Sequence, residues 1–192
     1  MYFLKNSLDP MPKHPYLQLA RKAVETYVKE GRVISTSKDL PNVPSKIFEK
    51  KAGTFVTICI IRGKNKKLKG CIGTYLPTKD NIADEIISNA ISAATRDYRF
   101  EPVTEDILDQ LSYEVNILSP PEQVKSMDKL DPKKYGIIVK TLDGRSGLLL
   151  PDLEGIDTPE KQVIIACQKG GINPAIDQIT LYRFTVERYR ER

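Results

Sequence analysis

A cysteine between two glycines is the residue of this sequence best suited to chemistry. Cys71 lies in the segment KGCIGT, residues 69–74, one position after one glycine and two positions before the next. Glycines at these positions would let a substrate reach the thiol, and the backbone amides of Ile72 and Gly73 could hold a developing oxyanion. The alternative interpretation is an unreactive thiol in a strand that packs closely against another backbone.

Charged residues elsewhere in the chain could assist this thiol. Lys69 and Arg99 would favour the thiolate if they lie near Cys71. Glu114 interrupts an apolar strand segment, where a carboxylate must face solvent, pair with a cation or line a site. Because His14 is the only histidine and lies beside a proline near the chain end, Glu114 or a lysine would have to serve as the base.

Asp97 and Arg99 also have two interpretations. An Asp-x-Arg pair at the end of a helix can be a simple salt bridge. Together with Glu114 it could instead form a cleft with two acids and one anion-binding guanidinium, a combination suited to acid–base chemistry or to a polar ligand. Their proximity to Cys71 is a prediction of the second interpretation.

Composition places limits on the function. The chain has 192 residues, enough for one domain with a subdomain, and its 30 basic and 25 acidic residues give a net charge of +5. The longest apolar run, at about residues 55–61, is too short to cross a membrane. We therefore expect no membrane partner.

The three cysteines favour reduced thiols in a cytoplasmic protein, because they are widely spaced and odd in number. Cys59 lies in an apolar strand segment and Cys167 on an apolar helix face, so both are expected in the core. With one histidine and no CxxC motif, the sequence predicts no metal site and no cofactor.

The densest basic cluster, residues 62–69, contains one arginine and four lysines. A solvated loop is the simplest explanation, because no aromatic side chains are interleaved with the charges. A phosphate-binding patch is the alternative, and it makes a weak nucleic-acid binder one hypothesis about function.

Periodicity predicts helices alternating with hairpins. Apolar residues at helical spacing predict helices at 15–30, 104–111 and 159–169, and another that is capped by Asp80 or Thr78 and ends near Asp97. Alternating and β-branched segments predict strands at 53–61, 68–75, 111–118 and 179–186. Asp143-Gly144 predicts a type I′ hairpin turn between 135 and 150. We also expect a loose arm at 1–14, an irregular connection at 35–52 and a charged tail after 186. The whole predicts an α+β fold of mostly antiparallel sheet flanked by helices.

Several motifs in fixed order resemble the AMMECR-one domain family, which includes AmmeMemoRadiSam system protein A. The family pattern runs from L-R-G-C-I-G-T through D-P-R-F-x-P and E-V-x-V-L to Y-G-I, G-L-L-L-P and C-x-K-A-G. This chain contains LKGCIGT, DYRFEP, EVNIL, YGI, GLLLP and CQKGG in the same order, over about residues 16–188. Lys69 replaces the arginine of the first motif, which keeps the charge and removes a two-pronged donor.

The resemblance implies a larger subdomain built from both chain ends around an antiparallel sheet and a smaller one from the middle, within a single domain at 15–192. It implies partner proteins rather than a particular reaction, because microbial members of the family accompany or are fused to Memo-family and radical-SAM proteins. The catalytic candidates are Cys71 and Glu114. The ligand-binding candidates are Lys69, Gly70, Ile72, Gly73, Thr74, Asp97, Arg99 and Phe100.

Three hypotheses stay open. The first is a cytoplasmic accessory protein that acts with Memo-family and radical-SAM partners and holds an unknown small ligand or a partner's tail around Cys71. The second is a cysteine-dependent enzyme acting on a small anionic metabolite or a protein, with Cys71 as nucleophile and Glu114 as base. The third, ranked last, is the nucleic-acid binder.

Overall fold

The computed structural model of the protein describes residues 14–35 and 45–191. The chain divides into two compact units, one formed by Met1–Ile117 with Arg188–Arg192 and the other by Leu118–Glu187. Both contain helices and antiparallel strands, which confirms the α+β class and the expected larger unit from both chain ends. The arm expected at 1–14 lies, except for His14, outside the described residues, and the single-domain boundaries stay a prediction.

The helices of the first unit are α1 (Pro15–Glu30), the short α2 (Lys46–Glu49), α3 (Ile82–Thr95) and a 3₁₀-helix (Glu105–Gln110). α1 begins after His14 and ends at Gly31, whose φ of +66° gives the left-handed C-cap. α3 begins after Asn81 rather than after Asp80 or Thr78, because the Asn81 side chain accepts a hydrogen bond from the Asp84 amide and caps the helix there. Part of the connection expected at 35–52, residues 36–44, lies outside the described residues.

The strands of the first sheet are β1 (Thr54–Arg62), β2 (Asn65–Gly73), β3 (Leu111–Leu118) and β8 (Val186–Arg190), in the spatial order β2–β1–β3–β8. The basic cluster was expected to be a loop, and this is wrong. The β1–β2 ladder continues through the pairs Ile60–Lys67 and Arg62–Asn65 up to the turn. Gly63, with φ of +62°, allows a two-residue turn, so most of the lysines lie on a strand.

The charged tail expected after residue 186 is also wrong, because this segment forms β8. The Glu191 amide donates to the Tyr113 carbonyl oxygen at 3.1 Å, next to the end of β8. The Glu191 carboxylate forms an ion pair with Arg21 at 3.1 Å and accepts a hydrogen bond from the Tyr113 amide at 2.9 Å. The Glu191 carboxylate therefore has partners within the fold.

The first sheet has an inner and an outer face. Val56 and Ile58 of β1 point inward and are fully buried in one apolar core with α1 and α3. Each such buried side chain contributes roughly 1.5–3 kcal/mol to folding. The alternate residues Phe55, Thr57 and Cys59 point to the outer face and are partly exposed. A candidate site residue on this sheet can contact a ligand from the outer face, whereas the inner face is covered by the helices.

The strands of the second unit are β4 (Glu122–Val124), β5 (Gly136–Thr141), β6 (Ser146–Leu149) and β7 (Ile179–Phe184), in the spatial order β4–β7–β5–β6. A 3₁₀-helix (Met127–Lys129) follows β4, and α4 (Pro159–Lys169) packs on the sheet. The Thr158 hydroxyl caps α4 by accepting a hydrogen bond from the Lys161 amide at 3.3 Å. Among the described residues, no helix is both long enough and apolar enough to span a membrane.

The hairpin predicted around Asp143-Gly144 is present, with a wider turn than expected. The Thr141 amide donates to the Arg145 carbonyl oxygen at 3.0 Å, and the Gly144 amide donates back to the Thr141 carbonyl oxygen at 3.2 Å. Gly144 has a φ of +90°, and Asp143 is not in the left-handed region that a type I′ turn needs at both central positions.

Candidate functional site

Cys71 lies on the outer face of the first sheet, on the edge strand β2. It faces Thr57 on β1, and Thr57 faces Glu114 on β3, so a thiol, a hydroxyl and a carboxylate form one row across three strands. A hydrogen bond of 3.3 Å joins the Cys71 Sγ to the Thr57 Oγ1. Because neighbouring strands are about 4.8 Å apart, the backbones of Cys71 and Glu114 are separated by roughly 10 Å.

Close packing explains both glycines of KGCIGT. A Cβ added at Gly70 would lie 2.0 Å from the carbonyl oxygen of Ala93, because β2 rests directly on the last turn of α3. A Cβ added at Gly73 would lie 2.3 Å from the ring of Phe55. The glycines therefore leave room for a helix backbone at Gly70 and for an aromatic ring at Gly73. This is the close packing that the alternative interpretation of KGCIGT expected.

Asp97 holds the backbone of Cys71. Asp97 is 4% exposed, and its Oδ2 accepts a hydrogen bond of 2.8 Å from the Cys71 amide. Arg99 donates to Oδ2 at 2.6 Å and to Oδ1 at 2.8 Å, and it also donates to the Cys71 carbonyl oxygen at 3.3 Å. The Arg99 side chain, helped by the Cys71 and Arg99 amides, lowers the pKa of Asp97 to about 2 against the effect of burial. The structure thus brings Asp97 and Arg99 to Cys71.

Of the two backbone amides expected to hold an oxyanion, those of Ile72 and Gly73, the Ile72 amide is used within the sheet. The Thr74 amide donates to the Thr54 carbonyl oxygen at 2.9 Å, so the alternate amide of Ile72 also points toward β1 and into the ladder. The Ile72 side chain packs on the core of the first unit. The structure therefore directs the amide and the side chain of Ile72 into the fold and away from the outer face around Cys71.

Thr74 contacts a second buried carboxylate. Glu85 of α3 is 1% exposed and accepts hydrogen bonds from the Thr74 hydroxyl at 2.8 Å, from the Thr78 amide and hydroxyl at 2.6 and 2.9 Å, and from the Lys79 amide at 2.8 Å. Burial acts to raise the pKa of Glu85, and these hydrogen bonds outweigh it and lower the pKa below its ordinary value. Thr74 and the loop that follows β2 are thus held together through the Glu85 carboxylate.

Glu85 was not among the residues singled out from the sequence, although the sequence contains a signal for a buried acid at this position. It lies three residues after Ile82, on the apolar face of α3, where an acid needs internal hydrogen bonds.

Lys69 holds the segment after α3 against β2, and Phe100 lies within that segment. Lys69 is the extra residue of a β-bulge, where the register changes from Ile58–Gly70 to Cys59–Leu68. Its Nζ donates to the Glu101 carbonyl oxygen at 2.6 Å. The Phe100 ring lies 5.3 Å from the Arg99 guanidinium.

Glu114 is paired with arginines that the sequence analysis missed. Its carboxylate lies 3.6 Å from Arg188 Nε and 3.3 Å from Arg190 Nε, and it accepts a hydrogen bond of 3.0 Å from Asn116. Both arginines lie on β8, and the signal that could have found them is the alternation in the segment VERYR. A carboxylate that is paired in this way is a weaker candidate for a base.

The other two cysteines differ in position. Cys167 is 1% exposed in the core of the second unit, as expected. The expectation that Cys59 lies in the core is wrong, because strand alternation directs it to the outer face, where it is partly exposed. Burial raises the pKa of both thiols. Within residues 14–35 and 45–191, no group of three or more His, Cys, Asp and Glu side chains is placed to hold a metal ion.

The fold and site define a class: a two-unit α+β protein in which a thiol on an edge strand is held in place by a buried aspartate and an arginine. The AMMECR1 family model matches residues 17–189, so the chain belongs to the AMMECR1 family, as its motifs predicted.

Similar proteins support this assignment. A Thermotoga maritima protein is 52% identical over 178 residues, which cover 93% of this chain and 98% of that protein. A Clostridium acetobutylicum protein is 42% identical over 93% of this chain, and the match spans 36% of that longer protein. The crystal structure of the uncharacterised protein PH0010 from Pyrococcus horikoshii matches with a TM-score of 0.80 and 33% identity, covering 92% of this chain and 89% of that one.

Proposed function

We propose that the protein is an accessory protein that binds a small ligand or a partner's tail through the outer face of the first sheet, around Cys71. The observation that carries the proposal is the combination of exposure and restraint at this residue. Cys71 and its neighbours Phe55 and Thr57 are partly exposed, whereas Asp97 and Arg99 hold the Cys71 amide and carbonyl group. A pre-organised surface with apolar and polar groups suits recognition.

The charges around Cys71 also favour binding over catalysis. The Glu114 carboxylate is held by Arg188 and Arg190, about two strand spacings from the thiol. Proton abstraction requires a base within hydrogen-bonding distance or one water away, and Glu114 lies on the far side of Thr57 from Cys71.

The proposed partners are Memo-family and radical-SAM proteins. The family resemblance is what supports them. The proposal includes a cytoplasmic location, which the odd number and wide spacing of the cysteines favour.

Affinity purification tests this proposal directly. The full chain, tagged and expressed in the cells it comes from, should co-purify with a Memo-family or a radical-SAM protein identified by mass spectrometry. Thr57→Arg places a large cation beside Cys71 on the outer face and should abolish the association. Glu154→Arg is the matched control, because residue 154 is exposed in a turn of the second unit. Absence of both partners, or equal recovery with Thr57→Arg, would contradict the proposal.

The cysteine-dependent enzyme is the second candidate, favoured by the partial exposure of Cys71 and by the nearby Arg99. A guanidinium close to a thiol favours the thiolate. If the enzyme hypothesis holds, iodoacetamide should label Cys71 far faster than Cys59 or Cys167, with a pH midpoint well below the roughly 8.5 of an ordinary thiol.

The three rates can be read separately by peptide mass spectrometry on the folded protein. Cys167 is the buried control, and Cys59 is the control on the same face as Cys71. Arg99→Gln should slow the labelling of Cys71 alone. Equal rates for Cys71 and Cys59 would contradict the enzyme and leave the accessory function.

A further inference from the structure

A cavity of about 470 Å³ lies beside the β-bulge of β2, between the β1–β2 hairpin and the segment that follows α3. Its lining residues are Ile60, Arg62, Asn65, Lys67, Lys69, Glu101, Pro102, Thr104 and Ile107. We propose that this cavity binds a small phosphomonoester, with Arg62, Lys67 and Lys69 around the phosphate. This site is separate from the outer face around Cys71 and goes beyond the function proposed above.

The bulge makes the cavity basic. In a regular strand, Lys67 and Lys69 would both point to the same face as Cys71, because side chains alternate with a period of two. The extra residue at Lys69 shifts the register, so Lys67 pairs with Ile60 on the inner face while Cys71 still pairs with Thr57 on the outer one. Because of this one extra residue, the Lys67 side chain points into the cavity and not to the outer face.

The cations of the cavity outnumber its anions. Three lining side chains carry a positive charge, and Glu101 is the one acid among the lining residues. Lys69 donates to the Glu101 carbonyl oxygen, and Arg62 donates from Nε to Gln110 at 3.4 Å. In the part of the chain that the structure describes, Arg62, Lys67 and Lys69 form no ion pair with a carboxylate. Clustered cations of this kind suit a doubly charged phosphate.

The other walls suit the body of a small molecule. Ile60, Pro102 and Ile107 supply apolar surface, and Thr104 and Asn65 supply polar groups. The volume lies in the range of small-molecule sites, which are mostly apolar with a few polar groups that set orientation. A nucleic-acid strand would instead need a groove that follows its backbone, with aromatic side chains for stacking. The concave shape therefore favours a small phosphomonoester over a nucleic acid.

Phenyl phosphate is a suitable probe, because it joins one phosphate to one apolar body. We expect it to bind the full chain more tightly than inorganic phosphate does, and we expect phenol not to bind. In an amide ¹H–¹⁵N NMR titration, the shifts should concentrate at Lys67, Lys69 and Thr104. Affinity should fall with added salt, since the attraction is partly electrostatic.

Two substitutions on one hairpin separate the cavity from general surface charge. Lys67→Gln should weaken the binding of phenyl phosphate about tenfold, the effect of losing one charge-assisted hydrogen bond. Lys64→Gln is the matched control, because Lys64 is exposed at the turn and does not line the cavity, and it should leave the affinity unchanged. Cys71→Ser should also leave it unchanged, so this test is independent of the outer face.

Specific results would overturn the inference. Failure of phenyl phosphate to bind at millimolar concentration excludes the site. Equal weakening by Lys67→Gln and Lys64→Gln shows only diffuse attraction to a basic hairpin. A short single-stranded oligonucleotide that binds more tightly than phenyl phosphate, and loses affinity equally in both variants, would assign the hairpin to nucleic acid.

Discussion

Both units of the protein pack a strand glycine onto the backbone of a helix near its last turn. In the first unit Gly70 of β2 lies against the Ala93 carbonyl group of α3, and in the second Gly147 of β6 lies against the Ala166 carbonyl group of α4. Added Cβ atoms would lie 2.0 and 1.8 Å from these oxygens. The same packing therefore occurs whether or not a cysteine follows the glycine on the strand.

An aspartate–arginine group accompanies each contact, and here the units differ. In the first, Asp97 is buried and bonds a strand amide as well as Arg99. In the second, Arg145 forms ion pairs with Asp143 and Asp177 at the surface and donates to the Gly171 carbonyl oxygen at 2.7 Å.

This difference separates structural from functional signals. A glycine beside Cys71 indicates close packing, because Gly147 shows the same packing although the residue after it on the strand is Leu148 and not a cysteine. The buried carboxylate on the Cys71 amide has no counterpart in the second unit, whose Arg145 group joins a hairpin turn to a loop. The feature particular to the candidate site is therefore Asp97, and the glycines are shared.

The largest expected effect tests whether the two glycine contacts are equivalent. Gly70→Ala and Gly147→Ala should each lower the free energy of unfolding by about 3 kcal/mol, because the new methyl group meets a helix backbone that cannot move aside. Urea denaturation followed by circular dichroism measures this. Gly63→Ala is the control: no atom lies near its added Cβ, and its positive φ should cost only about 1 kcal/mol. Similar losses in all three would contradict the packing explanation.

The second prediction separates the buried carboxylate from the exposed ones. Asp97→Asn should destabilise the fold by about 2 kcal/mol, because the amide keeps one acceptor for Cys71 and loses the two-pronged ion pair with Arg99. Asp143→Asn should cost less than about 1 kcal/mol, since exposed ion pairs are screened by water. Equal losses measured by urea denaturation would remove the distinction between the two groups.

The pH dependence of stability should show the same asymmetry. The pKa of Asp97 is about 2 in the folded protein, below its ordinary 3.8. A depressed pKa stabilises the fold above the ordinary value, and that stability is lost as pH falls through about 2. The loss should approach about 2 kcal/mol. Denaturation curves from pH 5 downward measure it, and the slope should flatten in Asp97→Asn. An unchanged slope would mean that other carboxylates dominate acid unfolding.

The smallest effect concerns the geometry of the arginines. Arg99→Lys keeps the charge and loses the paired hydrogen bonds to Asp97, so we expect a loss of about 1 kcal/mol. Arg145→Lys should cost a similar amount or less, because its partners are more exposed. Cys71 should become more accessible to iodoacetamide in Arg99→Lys and not in Arg145→Lys. The reverse pattern would break the assignment of Arg99 to the site.

Local sequence signals predicted most of the elements. Capping residues and apolar spacing located α1 and α4, and alternation located the two hairpins and β3. Two errors were local, namely the extent of the β1–β2 hairpin and the type of turn at Asp143-Gly144. Others arose where distant parts of the chain meet. β8 is difficult to predict from its own segment. Its Arg188 forms an ion pair with Glu114 only when β8 lies beside β3.

The candidate site was predicted in part. The motif order gave Cys71, Asp97 and Arg99, which the structure brings together. It could not give the bulge at Lys69, which depends on pairing with β1, or the outward position of Cys59, which depends on which face of the strand is covered. Strand register is a property of two segments at once, so one segment does not specify it.

The hydrogen bond from the Cys71 amide to Asp97 has a consequence for solubility. β2 is an edge strand, and the outward amides of an edge strand can recruit a strand from another molecule and start aggregation. The Asp97 carboxylate occupies one such amide, and the bulge and lysines of β2 disturb the edge further along. The group that holds the thiol in place therefore also helps to keep separate copies of the protein from joining sheet to sheet.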